Sequence, residues 1–312
     1  MIESEDSQIS TSDTEARLIS NGKGGIVGYN IQSMVDSAQN IPVDYEVTNC
    51  NDNQAMAQML ERTIATLNLE KDENGKLKET LKGLFDAGYY NGQQLSKAQE
   101  LGVTTYVCIP KAGGNSKPPD PAYNRSNFIY NAERDFFTCP QGNKLLTNGN
   151  WSKCRNKKVK QYKTEACKKC PVRAKCPKAK KAGRVLLRNE YAWACEKNQK
   201  SMNTNPEMYR KRQAIVEHPF GTIKRSWGFT YIMTKKGKDR ASADVGFIFL
   251  AYALRRIFNI LDFELLQEHL KSQITNFSLC ASFWDLPKLV ELILRAANLI
   301  SKVGAKTLKG IR

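Results

Sequence analysis

Long apolar runs are missing from this 312-residue chain. The longest, Val245 to Leu254, spans ten residues and stops at Arg255-Arg256. A membrane-spanning helix needs about 20 such residues, so none is expected. The N-terminus, MIESEDSQIS, lacks the basic start and apolar stretch of a secretory signal, so export is not expected either. Internal repeats are absent. Histidine occurs only twice, at His218 and His269. Acid is nearly missing from one stretch: Gln141 to Arg188 holds sixteen Lys/Arg and a single acid, Glu165.

What is present is ordinary in bulk and uneven in detail. Hydrophobic residues make up 41% and charged residues 25%, a globular composition. The length suggests about two domains, large enough to bury a core without staples. The net charge of +17 points to a polyanionic partner. Nearly all of that excess lies in the 141–188 stretch, which reads as a phosphate-contacting surface. Trp151, Tyr162, Tyr191 and Trp193 are interleaved with it, as packing residues or as stacking platforms for unpaired bases.

Three zones follow from the patterning. Residues 5–110 alternate strand and helix. Val27, Tyr29, Ile31 and Val35 share one face of a strand, and Val43, Tyr45 and Val47 alternate in a second, giving a hairpin. Met56, Met59, Leu60, Ile64 and Leu67 have helical spacing behind an Asn51-Asp52 cap. A strand over 81–85, a helix over 92–101 and a strand over 104–109 follow. Residues 111–205 open on a Gly/Pro-rich loop, hold the basic run and look inserted. Residues 206–312 read as helices, with a kink or break at Pro219. This order predicts an α/β, RNase H-like mixed sheet with flanking helices, interrupted by a small cysteine-rich insertion and followed by C-terminal helices. The expected boundaries are 1–110 and 206–265 for the two parts of the catalytic domain, 111–205 for the insertion and 266–312 for a C-terminal extension.

Nine cysteines in a chain without an export signal are expected to be reduced. Five fall between 139 and 176, which points to metal. Cys167-x2-Cys170-x5-Cys176 forms one knuckle-like group, with Cys139 as fourth ligand and Cys154 as its rival. Four thiolates make a closed structural Zn²⁺ site, and no nearby histidine or acid offers the open position of a catalytic one. Cys50, Cys108 and Cys280 are expected in the core.

Acids at strand ends suit divalent-metal phosphoryl transfer. Asp86 ends an apolar strand and is the first candidate. Asp13, Glu15 and Asp36 compete as its partner. Glu217 lies in a helical segment, with Lys224 seven residues on, Arg212 five before and Tyr209 eight before.

Eight blocks in order carry a resemblance: TSDTEARLI (11–19), GYNIQSMVD (28–36), EVTN (46–49), FDAGYYNG (85–92), CPQGNKL (139–145), CKKCPVRAKC (167–176), IVEHPFGTIKR (215–225) and LAYALRRIFNIL (250–261). Over about four fifths of its length the chain resembles the catalytic half of a bacterial insertion-sequence DDE transposase, in the branch with a cysteine-bearing insertion. The resemblance implies Asp13, Asp86 and Glu217 as the catalytic acids, holding two Mg²⁺ or Mn²⁺ ions. Glu15 stays a rival to Asp13 because Ser-Asp-Thr-Glu replaces the usual pattern. It implies Tyr209, Arg212 and Lys224 as the Tyr-Arg-Glu-Lys signature, with the Arg-to-Glu spacing one residue longer than usual. Arg225, Lys157, Lys158 and Lys160 join them as expected DNA contacts. His218, about 100° from Glu217 around a helix, is given a structural or phosphate-contacting role. The implied partner is double-stranded DNA, at transposon ends and target, with no membrane and with a homodimer on paired ends, in the cytoplasm at the nucleoid. The usual N-terminal helical domain is expected to be missing before Asp13. The alternative is a truncated or repurposed, inactive zinc-containing DNA-binding protein.

Overall fold

The computed structural model describes residues 10–20, 25–110, 118–154, 157–176, 183–230 and 236–260. The chain divides into two compact units. One comprises residues up to Cys108 together with those from Asn198 on; the other is Ile109–Lys197.

The first unit begins with two hairpins. β1 (Arg17–Ser20) pairs with β2 (Gly25–Gly28), and β3 (Asn30–Val35) pairs with β4 (Pro42–Thr48), both antiparallel. The sequence suggests one strand from Ile26 to Val35; instead Tyr29 separates β2 from β3. The β3–β4 turn is tied by Asp36. Its carboxylate accepts from the backbone N–H of Ala38, Gln39 and Ile41, at 2.8, 2.8 and 2.7 Å. A carboxylate taking several backbone N–H groups fixes a turn without secondary structure.

α1 (Met56–Thr66) buries Met56, Met59, Leu60 and Ile64, the stripe its spacing predicts. It lies against β3 and β4, and the forked guanidinium of Arg62 holds the Asp44 carboxylate from 2.7 and 2.8 Å. The expected Asn51-Asp52 cap is not made. A 3-10 turn (Asp52–Gln54) precedes α1. The N–H of Ala57, the second residue of α1, is taken by the Gln94 side chain of α2 (Gly92–Glu100), at 2.9 Å.

β5 (Lys82–Phe85) and β6 (Thr104–Val107) run parallel, with α2 as the crossover between them. α3 (Ala192–Thr204) brings the fully buried Asn198 to β6. Its amide donates to the Val107 carbonyl and accepts from the Val107 N–H, at 3.0 and 2.9 Å. α4 (Pro206–Phe220) passes straight through Pro219 and widens into a π-helical turn, Gly221–Ser226. Proline has no N–H to give, and the Trp227 N–H reaches back five residues to the Thr222 carbonyl. α5 (Lys238–Ile260) packs Val245, Phe249 and Tyr252 against Val47 and Ile223. Gly246 makes this contact possible, since a Cβ there would run into the Tyr45 hydroxyl.

The second unit contains two three-stranded sheets. β7 (Ile129–Asn131), β8 (Phe136–Thr138) and β9 (Lys144–Leu145) form one; β10 (Ser152–Cys154), β11 (Lys157–Tyr162) and β12 (Leu186–Asn189) form the other. The sequence suggests a single strand over 128–137; a turn with Asp135 at φ 50° makes it a hairpin. Phe128, Phe137, Leu145, Tyr162 and Leu186 are its core.

The architecture is thus mixed α/β with helices and small sheets. Among the described residues the strands fall into five separate hydrogen-bonded sheets, not one continuous mixed sheet. No helix there is long and apolar enough to cross a membrane. The expected C-terminal extension, 266–312, and Cys280 lie outside the described residues.

Candidate functional site

Asp86 sits where the sequence puts it, one residue past β5. Its carboxylate accepts from the Gly88 N–H at 2.8 Å and caps the 3-10 turn Ala87–Tyr89. The neighbour it meets there is Asp52, a residue the sequence analysis treats only as a helix cap. A Cβ built on Gly88 would lie 2.9 Å from Asp52 Oδ2 and 3.1 Å from Asp86 Oδ1. The two carboxylates therefore flank one bare backbone position.

Asp52 is aimed by amides. Asn30 Nδ2 and Gln32 Nε2 both donate to its Oδ1, at 2.6 and 2.8 Å. Gln32 is fully buried, and its own oxygen accepts from the Tyr89 hydroxyl. Burial pushes the Tyr89 phenol up, and the charges of Asp52 and Asp86 push it further. The signal for this arrangement is in β3: Asn30 and Gln32 are two apart, so they share a face.

Asp13 is placed differently. Its Oδ2 accepts from the Gly237 N–H at 3.0 Å and the Tyr29 hydroxyl at 2.8 Å, and its Oδ1 from the Glu15 N–H at 3.1 Å. These donors, Gly237 first, hold its carboxyl below the usual range. Burial and the bond to Asp13 push the Tyr29 phenol up to about 12. Glu15, its rival, accepts from the Lys238 N–H at 2.8 Å. Both acids tie the start of the chain to the start of α5.

Glu217 is exposed on α4, the helix that packs against β5 and β6. His218 Nδ1 is 2.7 Å from the Tyr252 hydroxyl, a structural contact. The Tyr209 hydroxyl meets Cys108 Sγ at 3.1 Å, and the Arg212 guanidinium lies 5.5 Å from the Tyr209 ring. Arg212 Nε is buried without a hydrogen-bond partner. Lys224 and Arg225 are exposed on the π turn. Among the described residues no three His, Cys, Asp or Glu side chains stand close enough to hold a metal ion. Asp13, Asp86 and Glu217 are thus not gathered into one metal-holding group.

In the second unit, Cys139, Cys167, Cys170 and Cys176 all line one cavity, with Tyr123, Phe128 and Arg184. Burial pushes the Cys176 thiol up. Arg184 opposes the rise, and the other three thiols add to it. Cys154, the rival ligand, is exposed on β10 and does not line this cavity. Four thiols around one cavity are a donor set that suits Zn²⁺, although among the described residues no three of them are placed to hold a metal ion. Cys50, expected in the core, is exposed.

The basic residues divide in two. Lys157 and Lys158 are exposed on β11. Lys160 is not free: its ammonium is 2.8 Å from Asp135 Oδ2. Asp135 Oδ1 also accepts from the Tyr162 and Tyr130 hydroxyls, at 2.6 and 2.7 Å. Burial opposes ionisation of Asp135, but these donors and the Lys160 charge outweigh it and bring the carboxyl down to about 2. Tyr162 is fully buried and is a core residue, while Trp151 and Trp193 are exposed.

No curated protein and no solved structure matches the chain. A family match does exist, and it covers about two thirds of the cysteine-bearing unit, the Glu217 helix and most of α5. Residues 138–258 match the model described as Transposase DDE domain.

Proposed function

We propose that this chain is the catalytic part of a DNA transposase, cleaving phosphodiesters at transposon ends and joining the freed 3′-hydroxyl to target DNA. The match of residues 138–258 to the transposase DDE domain carries this reading. In cleavage, a water oxygen bonds to phosphorus and loses a proton, the P–O3′ bond breaks, and the leaving 3′-oxygen takes up a proton to become the 3′-hydroxyl. In transfer, that 3′-hydroxyl bonds to a target phosphorus and displaces the target's own 3′-oxygen. Asp86 and Glu217 are two of the acids, and the sequence offers Asp13 as the third. Two bound Mg²⁺ or Mn²⁺ ions would activate the nucleophile and neutralise charge on the leaving oxygen.

The remaining residues serve DNA. Lys224, Arg225, Lys157 and Lys158 supply exposed cations for phosphate, and Tyr209 and Arg212 brace the Glu217 helix. A π turn just after Glu217 fits this reading, since such turns gather at functional sites. An RNase H-like core is supported by the order hairpin, α1, β5, α2, β6. Residues 1–110 and 206–265 make that core, 111–205 the insertion and 266–312 an extension. Cys139, Cys167, Cys170 and Cys176 hold one structural Zn²⁺ in the insertion. Paired-end chemistry implies a homodimer, at the nucleoid.

Nicking of supercoiled plasmid in Mn²⁺ tests the activity. The wild-type chain nicks and Glu217→Gln does not. DNA binding without nicking by the wild type would favour the inactive DNA-binding alternative. That alternative draws on the lack of a three-acid group among the described residues.

A further inference from the structure

We infer that Arg184 is the positioning residue of the four-thiol cavity: its guanidinium donates to the thiolates that a bound metal ion creates there and offsets their charge. The inference rests on the structural zinc reading above and concerns a residue that would not touch the metal itself.

Three observations carry it. The first is place. Arg184 lines the same cavity as Cys139, Cys167, Cys170 and Cys176. The backbone just before it runs hard against one of these cysteines, since a Cβ on Gly183 would lie 2.6 Å from the Cys167 Cβ. A side chain at 183 would push the segment, and Arg184 with it, away from the thiols. The second is an unused donor. Arg184 Nε is buried and has no hydrogen-bond partner. Leaving a buried donor unpaired is costly. Thiolates are charged acceptors, and metal binding creates them by driving off the thiol protons. The third is charge. Among the described residues Arg184 forms no ion pair with Asp or Glu. Its guanidinium carbon lies 5.7 Å from the centre of the buried Phe128 ring, which also lines the cavity. The cation is thus steadied by a ring face and left uncompensated. Four thiolates around Zn²⁺ carry a net double negative charge, and a buried charge is tolerated where an opposite charge and hydrogen bonds meet it.

The test is Zn²⁺ binding to the full chain, measured by competition with a chromophoric chelator, with circular dichroism to confirm the fold. Arg184→Met keeps an apolar stem and removes the charge and the donors. It should weaken Zn²⁺ binding by about 10- to 100-fold. Arg184→Lys keeps the charge and should recover part of the loss. If Arg184→Met does not fold, Arg184→Gln, which removes the charge but stays polar, takes its place. Co²⁺ in place of Zn²⁺ gives a readout that lost packing would not move. A donor on a thiolate lowers the energy of the sulfur lone pairs, so losing Arg184 should shift the sulfur-to-cobalt charge-transfer band to longer wavelength. Wild-type affinity together with an unshifted band in the folded variant overturns the inference and leaves the four-thiol site standing. A folded wild-type chain that binds neither Zn²⁺ nor Co²⁺ overturns both.

Discussion

The two units treat their key carboxylates in opposite ways. In the second, Asp135 is saturated: a lysine and two tyrosine hydroxyls converge on it, and its carboxyl falls to about 2. In the first, Asp52 takes two amide donors on Oδ1 and turns Oδ2 toward Gly88, while Asp86 accepts the Gly88 N–H on Oδ1, the oxygen beside the same position. A carboxylate whose lone pairs are all used holds a fold together. One with an oriented, uncompensated oxygen is available for a cation. The cysteines of the second unit bring soft donors together instead: four thiols, none of them in a disulfide, line one cavity.

The sharpest way to break this comparison is to remove a thiol. If the cavity is a zinc site, the purified chain carries about one Zn²⁺, and Cys170→Ser carries none and unfolds the second unit. Structural zinc contributes about 10–16 kcal/mol in small domains. Elemental analysis with limited proteolysis reads both, and a folded, metal-free wild type would refute the site.

A smaller effect is expected at Asp135. Asp135→Asn should cost the second unit about 1–3 kcal/mol in urea melts followed by tryptophan fluorescence, because Lys160 loses its partner. The sign of the pH effect follows from a carboxyl depressed below its ordinary 3.8. The stability it gives is whole above that pH and disappears as the pH falls toward about 2. Asp135→Asn should lack this acid step; an unchanged acid profile would move the step to another group.

The smallest effect concerns DNA. Neutralising Lys157 and Lys158 to Gln should each lower the slope of log affinity against log salt by about 1. Lys160→Gln should leave that slope nearly unchanged, since its charge already faces Asp135. A larger slope change at Lys160 than at Lys158 would show that the ion pair opens on DNA.

Much of this was legible beforehand because it is local. The α1 stripe, the β5–α2–β6 alternation and the position of Asp86 at a strand end follow from period and turn chemistry within a few residues. So does the grouping of Cys139, Cys167, Cys170 and Cys176, which line one cavity. Other features needed contacts across long separations. Asp52 reads as a cap until Asn30 and Gln32, more than twenty positions upstream in one case, are folded onto it. Asn198 reads as a helix surface residue until it meets Val107. Pro219 reads as a break until α4 is seen to continue and widen into a π turn. Asp13 and Lys160 read as free charges until Gly237 and Asp135 reach them.

The sequence by itself determined the alternation of elements, the basic, cysteine-rich stretch and the family resemblance. Each of these depends on composition or on neighbours along the chain. Only the tertiary structure decided which acids keep an open oxygen, because hydrogen-bond saturation depends on donors that folding brings from distant segments.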